Sequence, residues 1–195
     1  MQTEKIIDLA RKRGVIRAAD VEETGASRTL LPYLADKGLL RRVSRGAYVL
    51  ADYVPEHETF LAAATAVPHG VICLLSALQL HEITTQMPME TWIAIRRGTR
   101  MPTCRGLDLR VVKLTGPAFS EGIEEHDADG IRIRVYSPAK TVVDCFKFRN
   151  RIGLDVAREA LRNALAQKKA TRDEIRRFAR CCRMARVMRP YLEMA

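Results

Sequence analysis

The chain has 195 residues, of which 47% are hydrophobic and 29% charged, with a formal net charge of +10 and an isoelectric point near 9.7. That length supports one large or two small domains with buried cores, the composition is that of an ordinary globular protein, and the excess charge points to an anionic partner. No apolar run approaches the ~20 residues of a membrane span, and the opening MQTEKIIDLARKRG has acids where a signal peptide has an apolar core, so a cytoplasmic protein with no membrane partner is expected.

Cysteines at 73, 104, 145, 181 and 182 form no C-x-x-C pair, and no histidine stands at zinc-like spacing from a cysteine pair. Reduced thiols, no metal site and no cofactor are therefore expected. Residues 1–53 carry ten Lys/Arg against seven Asp/Glu, residues 54–146 nine against eleven, and residues 147–195 fourteen against five, so the three segments carry +3, −2 and +9.

In chain order, Thr3 is placed to cap a first helix that Gly14 ends after Arg11-Lys12-Arg13. Val15–Arg17 is a short extended piece, and Ala18 to Thr24 makes a second helix closed by Gly25. Ser27 then caps a third helix from Arg28. Helical spacing puts Leu30, Leu31, Leu34 and Ala35 on one side, and Arg28, Thr29, Pro32, Tyr33 and Asp36 on the other. Pro32 sits awkwardly inside such a helix, because its ring and missing N–H disturb the preceding turn.

Gly38 ends that helix, and Leu39–Val43 and Ala47–Leu50 flank a turn at Arg45-Gly46 as the two strands of a hairpin. Lys37, Arg41, Arg42 and Arg45 make it basic, with no acid between Lys37 and Leu50. A helix followed by a basic hairpin is how a winged helix-turn-helix meets a duplex. In that reading the side with Arg28, Thr29 and Tyr33 enters the major groove and reads bases, Ser27 at its start joins the DNA-binding set, and Lys37 takes phosphate or the minor groove. Arg41, Arg42 and Arg45 take phosphates or the minor groove. The alternative is a three-helix module that binds only protein and carries a solvated basic hairpin.

Asp52–Glu58 looks like a linker, which gives domains 1–53 and 54–195. Thr59 to Val67 is an Ala-rich helix, broken by Pro68-His69-Gly70 before a second apolar helix from Val71 to His81. Thr91–Arg96, Leu109–Leu114 and Ile131–Tyr136 alternate as strands, and Glu121–Gly130, with five acids and two glycines, is a surface turn. Ser137-Pro138 is a cap followed by a first-position proline, opening a helix Ala139–Phe148 with Lys140 and Asp144 spaced to pair on or near its surface. Helices Leu154–Gln167 and Thr171–Cys181 follow, the latter opened by the capping-box pattern Thr171–Glu174, and then a tail around Arg183–Leu192.

No catalytic residue emerges. Ser137 and Lys140 stand at a helix start but lack the glycine-rich loop of a phosphate site. His81 has no placed nucleophile, and Ser76 sits on an apolar helix as packing or a local hydrogen bond. Cys181-Cys182 reads as core or inert surface rather than a redox pair. Glu90, Asp108 and Lys113 do not form the D-x-K or E-x-K triplet of a nuclease. Arg172, Arg176, Arg180 and Arg183 lie along the last helices, either as a solvated basic face or as a second nucleic-acid surface for operator-flanking phosphates or an RNA.

Three segments resemble the AbiEi-type antitoxins of abortive-infection, type IV, toxin–antitoxin systems. They are Lys37–Tyr48 with its G-x-L…R-V-x-R-G-x-Y wing, Gly70–Leu78 followed by His81, and Asp129–Val135 leading into Pro138–Phe146. The resemblance implies an N-terminal winged helix that binds inverted repeats in operator DNA upstream of its own operon. It implies a C-terminal domain that counteracts a nucleotidyltransferase-like toxin without a stable complex, and it transfers no catalytic residue. The expected fold is α+β and mainly α, a winged helix-turn-helix plus a C-terminal α/β antitoxin domain with a small sheet and a basic helical end. A DNA-binding autorepressor and antitoxin is the leading function. A winged-helix regulator with a ligand-sensing C-terminal domain and a nuclease are the rivals.

Overall fold

The computed structural model describes residues 2–44, 46–55, 57–102, 106–128 and 131–194. It is a mixed α and β protein, about half helical, with two small sheets. The chain divides into two compact units, Met1–Pro68 with His126–Ile133, and His69–Glu125 with Arg134–Ala195. No helix among the described residues is long and apolar enough to cross a membrane.

The first unit runs α1 (Gln2–Arg13), β1 (Ile16–Arg17), α2 (Ala18–Glu22), α3 (Leu30–Asp36), β2 (Leu40–Ser44), β3 (Ala47–Leu50) and α4 (Glu58–Ala66). The strands form an antiparallel sheet in the order β1-β3-β2, with Ile16 opposite Tyr48 and Arg41 opposite Val49. Ile6, Ala10, Ile16, Val21, Leu31, Leu34, Leu40 and Tyr48 bury one core between the helices and this sheet. Thr3, expected as a cap, lies inside α1. The carboxylate of Asp20 accepts from the Arg17 N–H at 2.7 Å and from the Arg13 guanidinium at 2.6 Å, which ties the end of α1 to the start of α2. The short extended piece before α2 is thus a third strand that braces the hairpin. Arg45, in the expected hairpin turn, lies outside the described residues.

The second unit holds β4 (Val71–Ile72), α5 (Leu74–Leu80), β5 (Thr91–Arg96), β6 (Leu109–Leu114) and α6 (Pro117–Ser120). The strands β7 (Ile123–Ala128) and β8 (Ile131–Tyr136) follow, with His126–Ile133 counted in the first unit, then α7 (Pro138–Lys147), α8 (Arg149–Ile152), α9 (Leu154–Ala166), α10 (Arg172–Cys181) and α11 (Ala185–Met194). The sheet order is β6-β5-β4-β8-β7, with β5 parallel to β6 and β4 antiparallel to β5 but parallel to β8.

Two expectations fail here. The segment Val71–His81 is not one helix. Val71 and Ile72 pair with Ile93, Ala94 and Val135, filling the centre of the sheet before α5 begins. The acidic stretch in Glu121–Gly130 is not a loop; most of it is the edge strand β7, whose exposed side chains an edge position tolerates.

Helix α7 packs against α5, α8, α9, α10 and α11, and every residue from Ala139 to Phe146 is buried. Its start is the expected one: the Ser137 hydroxyl accepts from the Lys140 N–H and Pro138 takes the first helical position. Helix α10 has the expected capping box, with the Thr171 hydroxyl accepting from the Glu174 N–H at 3.2 Å and the Glu174 carboxylate accepting from the Thr171 N–H at 2.8 Å. Helix α10 ends in a Schellman turn, in which Met184 N–H reaches Ala179 O at 2.7 Å and Arg183 N–H reaches Arg180 O at 3.1 Å. Arg183 there adopts φ 60°, a position that glycine usually takes.

Candidate nucleic-acid interface

Helix α3 begins at Leu30, two residues later than the spacing suggests, so Ser27 does not cap a helix from Arg28. The Ser27 and Thr29 hydroxyls lie 2.7 Å apart, the Thr29 N–H reaches Ser27 Oγ at 3.3 Å, and Leu30 N–H reaches Ser27 O at 3.0 Å. Residues 27–29 are therefore a tight turn that leads into the helix. The shift also resolves Pro32, which now occupies the first helical turn, where a backbone N–H has no intrahelical partner to lose.

The two sides of α3 separate as its spacing requires. Leu31 and Leu34 are buried, with Leu30 and Ala35 packed beside them on the same core. Arg28, Thr29, Pro32, Tyr33, Asp36 and Lys37 are exposed. Tyr33 keeps 52% of its surface in solvent, and the Lys37 ammonium stands 5.7 Å from its ring centroid one turn on. The Arg28 guanidinium lies 3.9 Å from the Glu22 carboxylate with both side chains largely solvated, a pair too exposed to hold it in place. Ser27, Arg28, Thr29, Tyr33 and Lys37 are thus presented together, on a helix anchored from behind.

The hairpin arginines divide. Arg42 is exposed on β2. Arg41 is half-buried: its guanidinium pairs with both oxygens of Glu58, the second at 3.2 Å, and donates to Tyr53 O at 3.1 Å. That bidentate grip fastens α4 to the hairpin, and Glu58 as its partner was not legible from a separation of 17 residues.

In the second unit Arg172, Arg176 and Arg180 are exposed at four-residue spacing along α10, and Arg183 is exposed in the turn after it. Arg176 pairs with Asp173 at 3.0 Å, an exposed contact of the kind that contributes little.

Lys140 and Asp144, expected on or near a helix surface, are instead fully buried and ion-paired within α7. The Lys140 ammonium also stands 4.1 Å from the Tyr136 ring centroid. Tyr136 donates its hydroxyl to Phe119 O at 2.8 Å, and its own carbonyl accepts from the Thr141 hydroxyl at 3.0 Å and from His81 Nε2 at 2.7 Å. Burial pushes the Asp144 carboxyl above the ordinary carboxylate range, against the pull of the Lys140 ammonium. Burial likewise raises the Cys73 and Cys145 thiols, and takes Cys182 to about 11. Such thiols stay protonated and weakly nucleophilic near neutral pH. His81, Ser76 and these cysteines are committed to the core; Ser76, for one, accepts from the Trp92 N–H at 2.8 Å. Among the described residues, no group of three or more His, Cys, Asp or Glu could hold a metal ion.

Residues 4–51 match a family model described as a transcriptional regulator, AbiEi antitoxin. Among curated proteins no relative matches the chain. Among solved structures, a crystal structure of the RV2827C protein from Mycobacterium tuberculosis is similar at a TM-score of 0.66 and 14% identity, over 98% of this chain and 77% of that one. At that identity the likeness concerns the fold alone. The resemblance read from the hairpin therefore meets an independent match: residues 4–51, which hold α1 to β3, are similar to the AbiEi antitoxin family of transcriptional regulators.

Proposed function

We propose that the protein is a sequence-specific DNA-binding autorepressor and the antitoxin of a type IV toxin–antitoxin operon, acting in the cytoplasm. Its N-terminal part, residues 1–53, reads the operator as a winged helix-turn-helix, and residues 54–195 counteract a nucleotidyltransferase-like toxin without a stable complex. One observation carries the DNA reading. Ser27, Arg28, Thr29, Tyr33 and Lys37 share one exposed side of α3 and its lead-in turn, while the opposite side is locked into the core beside a hairpin that exposes Arg42. The element order, with β1 bracing β3, supports the same reading.

Roles follow from burial. Arg28, Thr29 and Tyr33 reach base edges, and Arg42 meets phosphate with Lys37. Arg45, between β2 and β3 in the sequence, joins them. Arg41 acts through Glu58, as the residue that fixes the hairpin against α4.

The test compares an inverted-repeat duplex from upstream of the gene with a random duplex. A base-edge contact is worth about 1–3 kcal/mol, so Arg28→Ala loses about tenfold or more on the operator and little on the random duplex. Arg42→Ala weakens both alike and lowers the salt dependence of binding. Wild-type binding of both duplexes by both variants overturns the reading. Co-expression of Arg28→Ala/Tyr33→Ala with the neighbouring gene tests the division of labour. Loss of repression with protection of growth intact is the expected outcome, and loss of both overturns it.

A further inference from the structure

Helices α9 and α11 enclose a groove of about 990 Å³ in the second unit, with the start of α10 at its edge. Leu161, Leu165 and Tyr191 give it an apolar floor, and Tyr191 is held there by Phe146, the two ring centroids being 4.8 Å apart. Arg158 and Arg162 stand one helical turn apart on the α9 wall, and Arg172 joins the lining from the start of α10. The groove also contains two acids, of which Glu159 is engaged and Asp155 is fully exposed. The Glu159 carboxylate accepts from the Thr85 N–H at 2.8 Å, and Asp155 lies 4.0 Å from Arg158. Among the described residues, neither Arg162 nor Arg172 has an ion-pair or side-chain hydrogen-bond partner.

An apolar floor rimmed by unpaired cations has a defined complement. The phosphates of a nucleic-acid backbone would use the arginines and leave the apolar floor of Leu161 and Leu165 uncovered. An amphipathic helix that bears leucine-like residues at i, i+3 or i+4, and i+7, with carboxylates along its flank, satisfies both the floor and the rim. We propose that the groove between α9 and α11 docks an acidic amphipathic helical segment of a partner protein, its apolar residues on Leu161, Leu165 and Tyr191 and its carboxylates on Arg162 and Arg172. The site is independent of the DNA-reading face. It gives the second unit a route to protein partners that needs no large interface, in keeping with a weak and transient class of contact.

The probe is a fluorescein-labelled synthetic helix of about 14 residues, four turns, with leucines at helical spacing and glutamates elsewhere. Its binding to the full-length protein is followed by anisotropy. Arg162→Glu/Arg172→Glu weakens it about tenfold or more, and the milder Arg162→Gln/Arg172→Gln weakens it less but in the same direction. Both variants keep the wild-type Trp92 unfolding curve, since these side chains are exposed. Arg180→Glu/Arg186→Glu makes the same change of charge outside the groove and leaves binding unaltered. Three results overturn the proposal. One is equal binding of a scrambled peptide without an apolar face. Another is equal weakening by the outside pair of substitutions. The third is displacement of the peptide by an RNA or DNA oligonucleotide whose own binding is lost in Arg162→Glu/Arg172→Glu, which assigns the groove to nucleic acid.

Discussion

Replacing Lys140 by methionine keeps most of its apolar stem in the centre of α7 and deletes the ammonium that pairs with Asp144. Both groups are buried, at 0% and 1% exposure of their side chains, so the surviving carboxylate is left in the core without its counter-charge. Removing one partner of a buried pair costs about 3–5 kcal/mol, well above the near-zero value of an exposed pair. The lost ammonium contact with the Tyr136 ring adds to this. Trp92, the one tryptophan of the chain, is buried on β5 in the same core as Tyr136 and Val142, so its fluorescence reports on this unit. With a urea dependence of about 2 kcal/mol per molar, the midpoint should fall by about 1.5–2.5 M in Lys140→Met and by a similar amount in Asp144→Ala. The double variant removes both charges together and should lie within about 2 kcal/mol of the wild type, because replacing a whole buried pair by apolar groups is nearly neutral. If the double variant loses the sum of the two single losses, the charges are not coupled and the reasoning is wrong.

The same variant carries a pH signature. A carboxyl raised above its unfolded value of about 3.9 stays protonated in the folded chain while the unfolded chain ionises. Stability therefore falls as pH rises through the window between the two values, and the full cost persists above it. Asp144 is shifted in this direction by burial even with Lys140 present. Without the ammonium the window extends further upward, so the deficit of Lys140→Met relative to wild type should grow from about pH 4 to 7. A deficit constant over that range would mean that Asp144 reaches solvent or another cation.

Gly122 sits directly above this pair. It adopts φ +73°, and a Cβ there would stand 2.8 Å from Lys140 Cβ and 2.9 Å from the Phe178 ring, so Gly122→Ala should lower stability by about 2–4 kcal/mol through strain and overpacking together. Arg183→Gly should raise stability by about 0.5–1 kcal/mol by relieving the left-handed position after α10, while Arg183→Ala should not, and the order of their urea midpoints checks this. Thr171→Ala removes one half of the α10 capping box and should cost about 1 kcal/mol. The other half is Glu174, whose carboxyl is held below its ordinary value first by the Thr171 N–H. Its contribution is present above the unfolded carboxylate value and is lost as pH falls through the lower folded value; Thr171→Ala keeps the N–H and loses only the hydroxyl, so the gap between wild type and variant should narrow in acid by the hydroxyl–carboxylate part alone.

Much of this fold was legible where the periodicity was long enough. The strands β5, β6 and β8 alternate over six residues each, and α9 and α10 declare themselves by spacing and caps. β4 was not legible, because two residues carry no period and its apolar run continues into α5. β7 was hidden by its exposure, since acids on an edge strand have the composition of a loop. The burial of Lys140 and Asp144 was beyond reach for a different reason. Their i, i+4 spacing describes a pair on any helix, and only the enclosure of α7 by its neighbours decides its depth. At the candidate interface the faces of α3 were legible from Leu31 and Leu34, but its start was not, because the Ser27–Thr29 turn mimics a cap. The anchoring role of Arg41 depends on Glu58, and nothing local marks that carboxylate.

Net charge, the first signal in the chain, turns out to rank its segments poorly. Residues 147–195 carry +9, yet several of those cations complete the fold. Arg149 donates to Phe146 O at 2.8 Å and Lys169 to His81 O at 2.6 Å, where carbonyls at helix ends lack intrahelical donors. Arg189 pairs with Glu193 one turn away. In the N-terminal 53 residues, with only +3, Arg13 and Arg41 are likewise bound to carboxylates within the unit. Among the described cations outside these structural contacts are Arg28, held only by a solvated pair at 3.9 Å, and Arg162, Arg172, Arg180 and Arg183. They fall on distinct surfaces. Arg28 lies beside a protruding helix with a tyrosine, suited to entering a groove. Arg162 and Arg172 rim an apolar trough, suited to receiving a helix. In the roles proposed, shape around the charge, more than its amount, separates a surface suited to a duplex from one suited to a protein.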